Sequence, residues 1–270
     1  MKFVDRPSPN FDARLASIDL VVLHYTGMQD GETALRRLAD PAPVAGRYRG
    51  PWQAPDIDPQ TPLGRASAHY VVGEDGTVFR VVDEANRAWH AGAGSWEGRG
   101  DVNSRAVGIE IVNGGHDFGL PPFPDAQIEA VVALVQSILG RWELAAHRVV
   151  GHSDIAPERK NDPGEKFPWH ALADAGVSIW PDVKADDRVQ CKPGDTGERV
   201  HALHASLAEF GYAVPESEDP AGAAFDAATE AVVRAFQRRF APDRIDGIVR
   251  ASTMEALDDL LEQIAELEEG

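Results

Sequence analysis

Ile18-Asp19-Leu20-Val21-Val22-Leu23-His24-Tyr25-Thr26 is the stretch on which the fold turns. Its apolar run, bounded by polar residues and too short for a helix, reads as a buried strand over 18–23 that ends at His24. A histidine delivered by the end of a buried strand lies where a site forms. Working outward, residues 32–39 carry a helical pattern. Residues 41–64 are rich in proline and glycine, with Tyr48 and Trp52 among them. So long an irregular segment is a functional loop or a disordered insertion, and a loop at the mouth of a site is expected. Residues 66–73 and 77–82 are β-rich runs around Glu74-Asp75-Gly76, and the Asp-Gly pair predicts a hairpin with a type I′ turn. Residues 106–112 predict another strand.

Pro124-Asp125 opens a helix. Ile128, Val131, Val132, Val135, Ile138 and Leu139 recur at helical spacing, and Gly140 marks the expected end. Residues 148–151 form a short strand that runs into His152. Strands and helices are mixed, so the first part of the chain is α/β or α+β. Beyond Trp169 the composition changes. Residues 171–195, with Gly176, Pro181, Pro193 and Gly194, read as a linker. Helical spacing then dominates: Val200, Leu203, Leu207 and Phe210 define one helix. Val232, Val233, Phe236 and Phe240 define a second, with Asp226 as its N-cap. An acidic amphipathic tail over 255–269 completes the pattern. The boundary falls near 180–185, which gives a first domain over 1–180 and a small helical domain over 186–270.

The 270 residues suit one large domain or two smaller ones, and 43% hydrophobic residues suffice for a packed core. A formal net charge of −18 disfavours nucleic acid and anionic membrane surfaces as partners. No stretch is long and apolar enough to span a membrane. The first ten residues lack the apolar core of a secretory signal, so a cytoplasmic location is expected, with the periplasm as the alternative. A monomer is expected. The single cysteine, Cys191, excludes both an internal disulfide and a cysteine-rich metal knuckle.

Three residues far apart in sequence stand out as a ligand set. They are His24, His152 in Val150-Gly151-His152-Ser153-Asp154, and Asp162 in Lys160-Asn161-Asp162-Pro163-Gly164. Two imidazoles and one carboxylate are a familiar donor set for catalytic zinc with an open position. His152 and Asp162 are separated by Pro157, so a loop must fold back to bring them together. Glu110 sits inside Val107-Gly108-Ile109-Glu110-Ile111-Val112. Alternation places Gly108, Glu110 and Val112 on one face and Val107, Ile109 and Ile111 on the other. A carboxylate there either faces solvent at an edge or is paired inside, where it can serve as general base. Lys160 is either a surface lysine or a cation placed to steady an oxyanion.

The pieces together resemble the type 2 N-acetylmuramoyl-L-alanine amidases, the AmpD-like zinc amidases of bacterial cell-wall metabolism. The segments that carry the resemblance run in order. They are Val22-Leu23-His24-Tyr25-Thr26, Ala68-His69-Tyr70-Val71-Val72, Ala88-Trp89-His90-Ala91-Gly92, Val107-Gly108-Ile109-Glu110-Ile111, Val150-Gly151-His152-Ser153-Asp154-Ile155-Ala156-Pro157 and Arg159-Lys160-Asn161-Asp162-Pro163-Gly164. The resemblance covers about residues 15–170 and implies a mixed β-sheet flanked by helices. It also implies one Zn2+ per chain, held by His24, His152 and Asp162, with Glu110 as the catalytic glutamate and Lys160 assisting the transition state. Tyr25, Trp89 and His90 are then expected to bind substrate, and His69 to be structural. The implied reaction is hydrolysis of the amide between the lactyl group of N-acetylmuramic acid and L-alanine of the stem peptide. Its expected substrates are 1,6-anhydro-muropeptides in peptidoglycan recycling, with intact peptidoglycan as the alternative. A non-catalytic peptidoglycan-recognition protein on the same fold is the reading from another class; such proteins typically lack a zinc ligand, and here all three are present.

The C-terminal part resembles the type 1 peptidoglycan-binding domain, a three-helix module. The match lies in Pro193-Gly194-Asp195-Thr196-Gly197-Glu198-Arg199-Val200, in Phe225-Asp226-Ala227-Ala228-Thr229 through Gln237, and in Asp246-Gly247-Ile248-Val249. It departs from the family pattern at His204 and at Arg250-Ala251. Wall binding by this module is therefore an expectation separate from its fold.

Overall fold

The computed structural model describes residues 1–48, 57–215 and 219–269. Strands β1 (Lys2–Asp5), β2 (Phe11–Ala13) and β3 (Leu20–Tyr25) are followed by helix α1 (Gly31–Ala39). Strands β4 (Tyr70–Val72), β5 (Thr77–Arg80) and β6 (Asn86–Ala88) come next. Helix α2 (Val102–Arg105), strand β7 (Ala106–Ile111), helix α3 (Asp125–Trp142), strand β8 (Val149–Gly151) and helices α4 (His152–Ile155) and α5 (Trp169–Asp174) complete the first part. The second part contains β9 (Val189–Cys191), α6 (Glu198–Phe210), α7 (Ala227–Phe240), β10 (Val249–Arg250) and α8 (Ala251–Glu269). Six strands form one mixed sheet in the order β1-β5-β4-β7-β3-β8. Strands β4, β7, β3 and the edge strand β8 run parallel, whereas β4 and β5 form an antiparallel hairpin.

Two-sided burial explains the uninterrupted apolar run of β3. Val21 and Leu23 pack with Val107, Ile109 and Ile111 of β7 against Val131, Leu134, Val135 and Ile138 of α3. Leu20, Val22 and Val150 point to the other face and share one core with Val200, Leu203, Phe236 and Leu257 of α6–α8. A strand covered on both faces has no solvent side to carry polar residues. The C-terminal helices are thus the second covering layer of the sheet, not an appendage on a tether.

Three local expectations need correction. The turn between β4 and β5 is not type I′: of its residues only Gly76 has positive φ, +76°, and the Asp75 side chain instead accepts from the backbone N–H of Thr77 at 3.0 Å. A type I′ turn needs two consecutive left-handed residues. Helix α3 does not stop at Gly140 but runs on to Trp142, where Glu143 takes the left-handed C-cap position. Packing of α3 on the sheet carries the helix through a residue of low propensity. The segment 171–195 is not a bare linker, since α5 extends to Asp174 and β9 pairs antiparallel with β10. Of the loop over 41–64, residues 49–56, including Trp52, lie outside the described residues. Tyr48, Leu63 and Gly64 on either side of them border the cleft described next.

Candidate metal centre and catalytic cleft

The parallel strands β7, β3 and β8 are neighbours, and the register pairs His24 with Glu110 and Leu23 with Gly151. Glu110, His24 and His152 therefore emerge side by side at the carboxyl ends of adjacent strands, where open α/β sheets generally form their sites. Asp162 arrives from the loop after α4. The backbone N–H of Ser153 donates to the Asp162 carbonyl at 2.9 Å, which folds that loop back onto the start of α4. All eight residues singled out from the sequence line one cleft of about 550 Å³.

His24, His152 and Asp162 are buried, and their donor atoms converge. The two Nδ1 atoms lie 2.8 Å apart, and Asp162 Oδ2 lies 3.1 Å from that of His24 and 2.9 Å from that of His152. His152 Nε2 is 2.9 Å from the Ala91 carbonyl, a group that only accepts, so Nε2 carries a proton. As a metal ligand, His152 would turn the lone pair of Nδ1 toward the same point as a carboxylate oxygen of Asp162. Two such atoms repel unless positive charge sits between them. Burial, followed by the neighbouring His152, lowers the His24 pKa to about 4, so His24 is neutral as a metal ligand must be. The three spacings are slightly tighter than the roughly 3.3 Å between donors around a tetrahedral zinc ion. The trio is a buried cluster consistent with a metal site, and among the described residues it is the only such group of three.

The supporting contacts are equally specific. His24 Nε2 lies 3.0 Å from His90 Nδ1, so His90 holds the ligand from behind as well as lining the cleft. Asn103 Oδ1 accepts from the backbone N–H groups of His90 and Ala91 at 2.9 and 2.8 Å. The Arg159 guanidinium binds the carbonyls of Ala91 and Ala93. Only glycine fits at 108, because a Cβ there would lie 2.4 Å from the His90 ring. His69 is fully buried just before β4, and its Nδ1 accepts from the Gly108 N–H at 2.8 Å, a structural role.

Glu110 faces the cleft, and its Oε2 is buried without a hydrogen-bond partner. Burial and then the Asp162 carboxylate raise its pKa to about 8, against the opposing pull of Lys160. An orphaned carboxyl in a cleft beside a cation site is a group held ready for a ligand. Lys160 lines the same cleft and makes no ion pair among the described residues. Tyr25 OH lies 3.0 Å from His116 Nδ1, and His116 Nε2 is 3.0 Å from Glu165. Trp89 is partly exposed, with the Arg65 guanidinium 4.8 Å over its ring. Sequence reasoning missed Asn103, His116 and Glu165, since none forms a recognisable spacing with the ligands.

Comparison with known proteins bears on this geometry. The family described as N-acetylmuramoyl-L-alanine amidase matches residues 14–165, and the putative peptidoglycan binding domain matches residues 196–257. The N-acetylmuramoyl-L-alanine amidase AmiD of Escherichia coli is 32% identical over 256 residues, covering 91% of this chain and 83% of AmiD. Its structure with the substrate anhydro-N-acetylmuramic acid-L-Ala-D-gamma-Glu-L-Lys superposes with a TM-score of 0.71 at 30% identity, covering 93% of this chain and 92% of that one. AmpDh3 of Pseudomonas aeruginosa, in complex with anhydromuramic pentapeptide, gives 0.71 at 31% identity, with 92% of each chain covered. These matches join the sheet, the cleft and the helical layer into one assignment: the chain belongs to the N-acetylmuramoyl-L-alanine amidase family and carries a C-terminal domain of the peptidoglycan-binding type.

Proposed function

We propose that this amidase is zinc-dependent and acts on 1,6-anhydro-muropeptides, cleaving the lactyl–L-alanine amide as part of peptidoglycan recycling. The observation that carries the reading is the convergence of the His24–His152–Asp162 cluster, the unpartnered Glu110 carboxyl and Lys160 in one cleft. Zinc held by that cluster would supply a Lewis acid that polarises the scissile carbonyl and acidifies water. Burial raises the Glu110 pKa, but its ionised form would be favoured beside a bound zinc ion. The carboxylate then takes the proton from the attacking water and returns it to the leaving amine of L-alanine. Lys160 donates to the oxyanion as the carbonyl carbon becomes tetrahedral. The Ala91 carbonyl keeps His152 in the tautomer that leaves its Nδ1 free, and His90 packs against Nε2 of His24, which leaves His24 Nδ1 facing the cluster. Support for the anhydro-sugar comes from AmiD and AmpDh3, whose structures hold such ligands.

A second reading, action on intact peptidoglycan, is favoured by the C-terminal match to the peptidoglycan binding domain. Mass spectrometry of products separates the two. Zinc-loaded protein is incubated with 1,6-anhydroMurNAc-tripeptide and, in parallel, with sacculi. Free tripeptide from the soluble substrate alone is the expected result. Comparable release from sacculi would establish the second reading, and no cleavage of the soluble substrate would overturn the first.

A further inference from the structure

Two residues of the C-terminal domain reach the strand and helix that carry His152. Arg239 on α7 is 2% exposed and Asp154 on α4 is 1% exposed, and the two form an ion pair with Nη1 2.9 Å from Oδ2. The same Oδ2 accepts from the backbone N–H of Gly151 at 2.7 Å. Oδ1 accepts from the hydroxyl of Tyr212 at 2.7 Å. Arg239 Nη2 donates to the Val149 carbonyl at 2.9 Å, and the guanidinium lies 4.3 Å over the Trp169 ring. Residues 149, 151 and 154 bracket His152 on both sides. The backbone of this ligand is therefore gripped from the strand before it and the helical turn after it, and the gripping groups come from residues 212 and 239.

A buried carboxylate needs its partners, so the arrangement is held as a unit. It does more than fasten two domains together. A surface ion pair anywhere on the interface would fasten them, whereas this one is fully desolvated and ends on the peptide groups adjoining a metal ligand. We propose that Arg239 and Tyr212, acting through Asp154, are positioning residues for His152, so that the helical domain completes the outer support of the metal site. The inference rests on His152 being a zinc ligand.

The test is zinc affinity, measured by competition with a chromogenic chelator at fixed pH and at a temperature where circular dichroism shows each metal-free variant folded. The visible spectrum of the cobalt-substituted protein is recorded alongside. Tyr212→Phe removes one hydrogen bond and leaves the packing intact; Arg239→Lys keeps the charge but cannot hold Asp154 and Val149 together. Loss of groups that orient a metal ligand typically weakens binding by about 10- to 100-fold. Tyr212→Phe is expected near the lower figure and Arg239→Lys above it, each with an altered cobalt spectrum. Leu203→Val, in the core of the helical domain, is the control. It should lower the melting temperature and leave zinc affinity and the cobalt spectrum as in the wild type. Wild-type zinc affinity and cobalt spectra in Tyr212→Phe would overturn the proposal even if Arg239→Lys fails to fold. Failure of the underlying reading looks different: the wild-type protein would take up no zinc, or His152→Ala would bind it as tightly as the wild type.

Discussion

At the scale of single residues the site divides into groups that hold and a group that reacts. Glu110 is in the second class, because its buried Oε2 has no protein partner and the metal ligands do not depend on it for a hydrogen bond. Glu110→Gln keeps the shape and removes the base. Turnover should fall by at least about 10²-fold with metal content unchanged, since general-base catalysis contributes about 10²–10⁴-fold; metal analysis beside steady-state kinetics checks both halves. His69 is a holding residue whose protonation is opposed by its contacts. Burial, then the Arg14 guanidinium, lower its pKa to about 4. Its Nδ1 accepts the Gly108 N–H, so a proton there would set one N–H against another. The unfolded chain, with histidine near 6.5, binds this proton more readily than the folded one. The stabilisation from a neutral His69 is thus complete above pH 6.5 and is lost as pH falls towards 4. The shift corresponds to a loss of about 3 kcal/mol. Denaturation midpoints of metal-free protein at pH 7.5 and 4.5 should differ less in His69→Asn, which keeps an acceptor for Gly108 without the titrating ring. Equal pH sensitivity in both proteins would refute this account.

At the scale of elements, legibility followed the range of the forces. The strand through Leu20–Leu23, the hairpin around Gly76, α3 and the Asp226 N-cap of α7 were readable because each is dictated by neighbours within a few residues. The convergence of His24, Glu110 and His152 was not readable from spacing, because it depends on the β7-β3-β8 order. Only the ordered set of motifs, read as a family resemblance, brought those residues together in advance. Gly140 shows the limit of a local rule. Its low helix propensity marks an end, but packing of Ile138 and Leu139 against the sheet continues the helix to Trp142. That leaves an exposed glycine inside a helix, and a Cβ added there meets nothing within 4 Å. Gly140→Ala should therefore stabilise the protein by about 1 kcal/mol. The melting temperature should rise by roughly 2 °C with activity unchanged. A fall in melting temperature would mean that the glycine serves a strain the backbone does not show.

At the scale of the whole molecule, the composition change after Trp169 marked a second domain but not what that domain does for the first. Nothing local in Leu20, Val22, Trp96 or Ile155 says that residues from α6 to α8 cover them, and the partnership of Asp154 with Arg239 spans 85 positions. Trp96 illustrates the dependence. It is 2% exposed, with its ring edge-on to Phe210 at 5.8 Å and Tyr212 at 5.1 Å, and a Cβ at Gly211 would lie 2.6 Å from it. Removing residues 186–270 would bare this face of the sheet and strand the Asp154 carboxylate without Arg239 or Tyr212. Breaking a buried ion pair by losing one partner alone costs about 3–5 kcal/mol. The loss of apolar contacts adds to that, and a contiguous bared patch favours association. A chain ending at residue 185 should therefore be poorly soluble, bind a hydrophobic dye and unfold at lower temperature and with less cooperativity than the full chain. Asp154→Asn in the shortened chain, which removes the stranded charge, should recover part of the stability but none of the solubility. A shortened protein that stays monomeric and melts like the full chain would show that the sheet needs no second layer, and the helical domain would then be free to act as an independent wall-binding module.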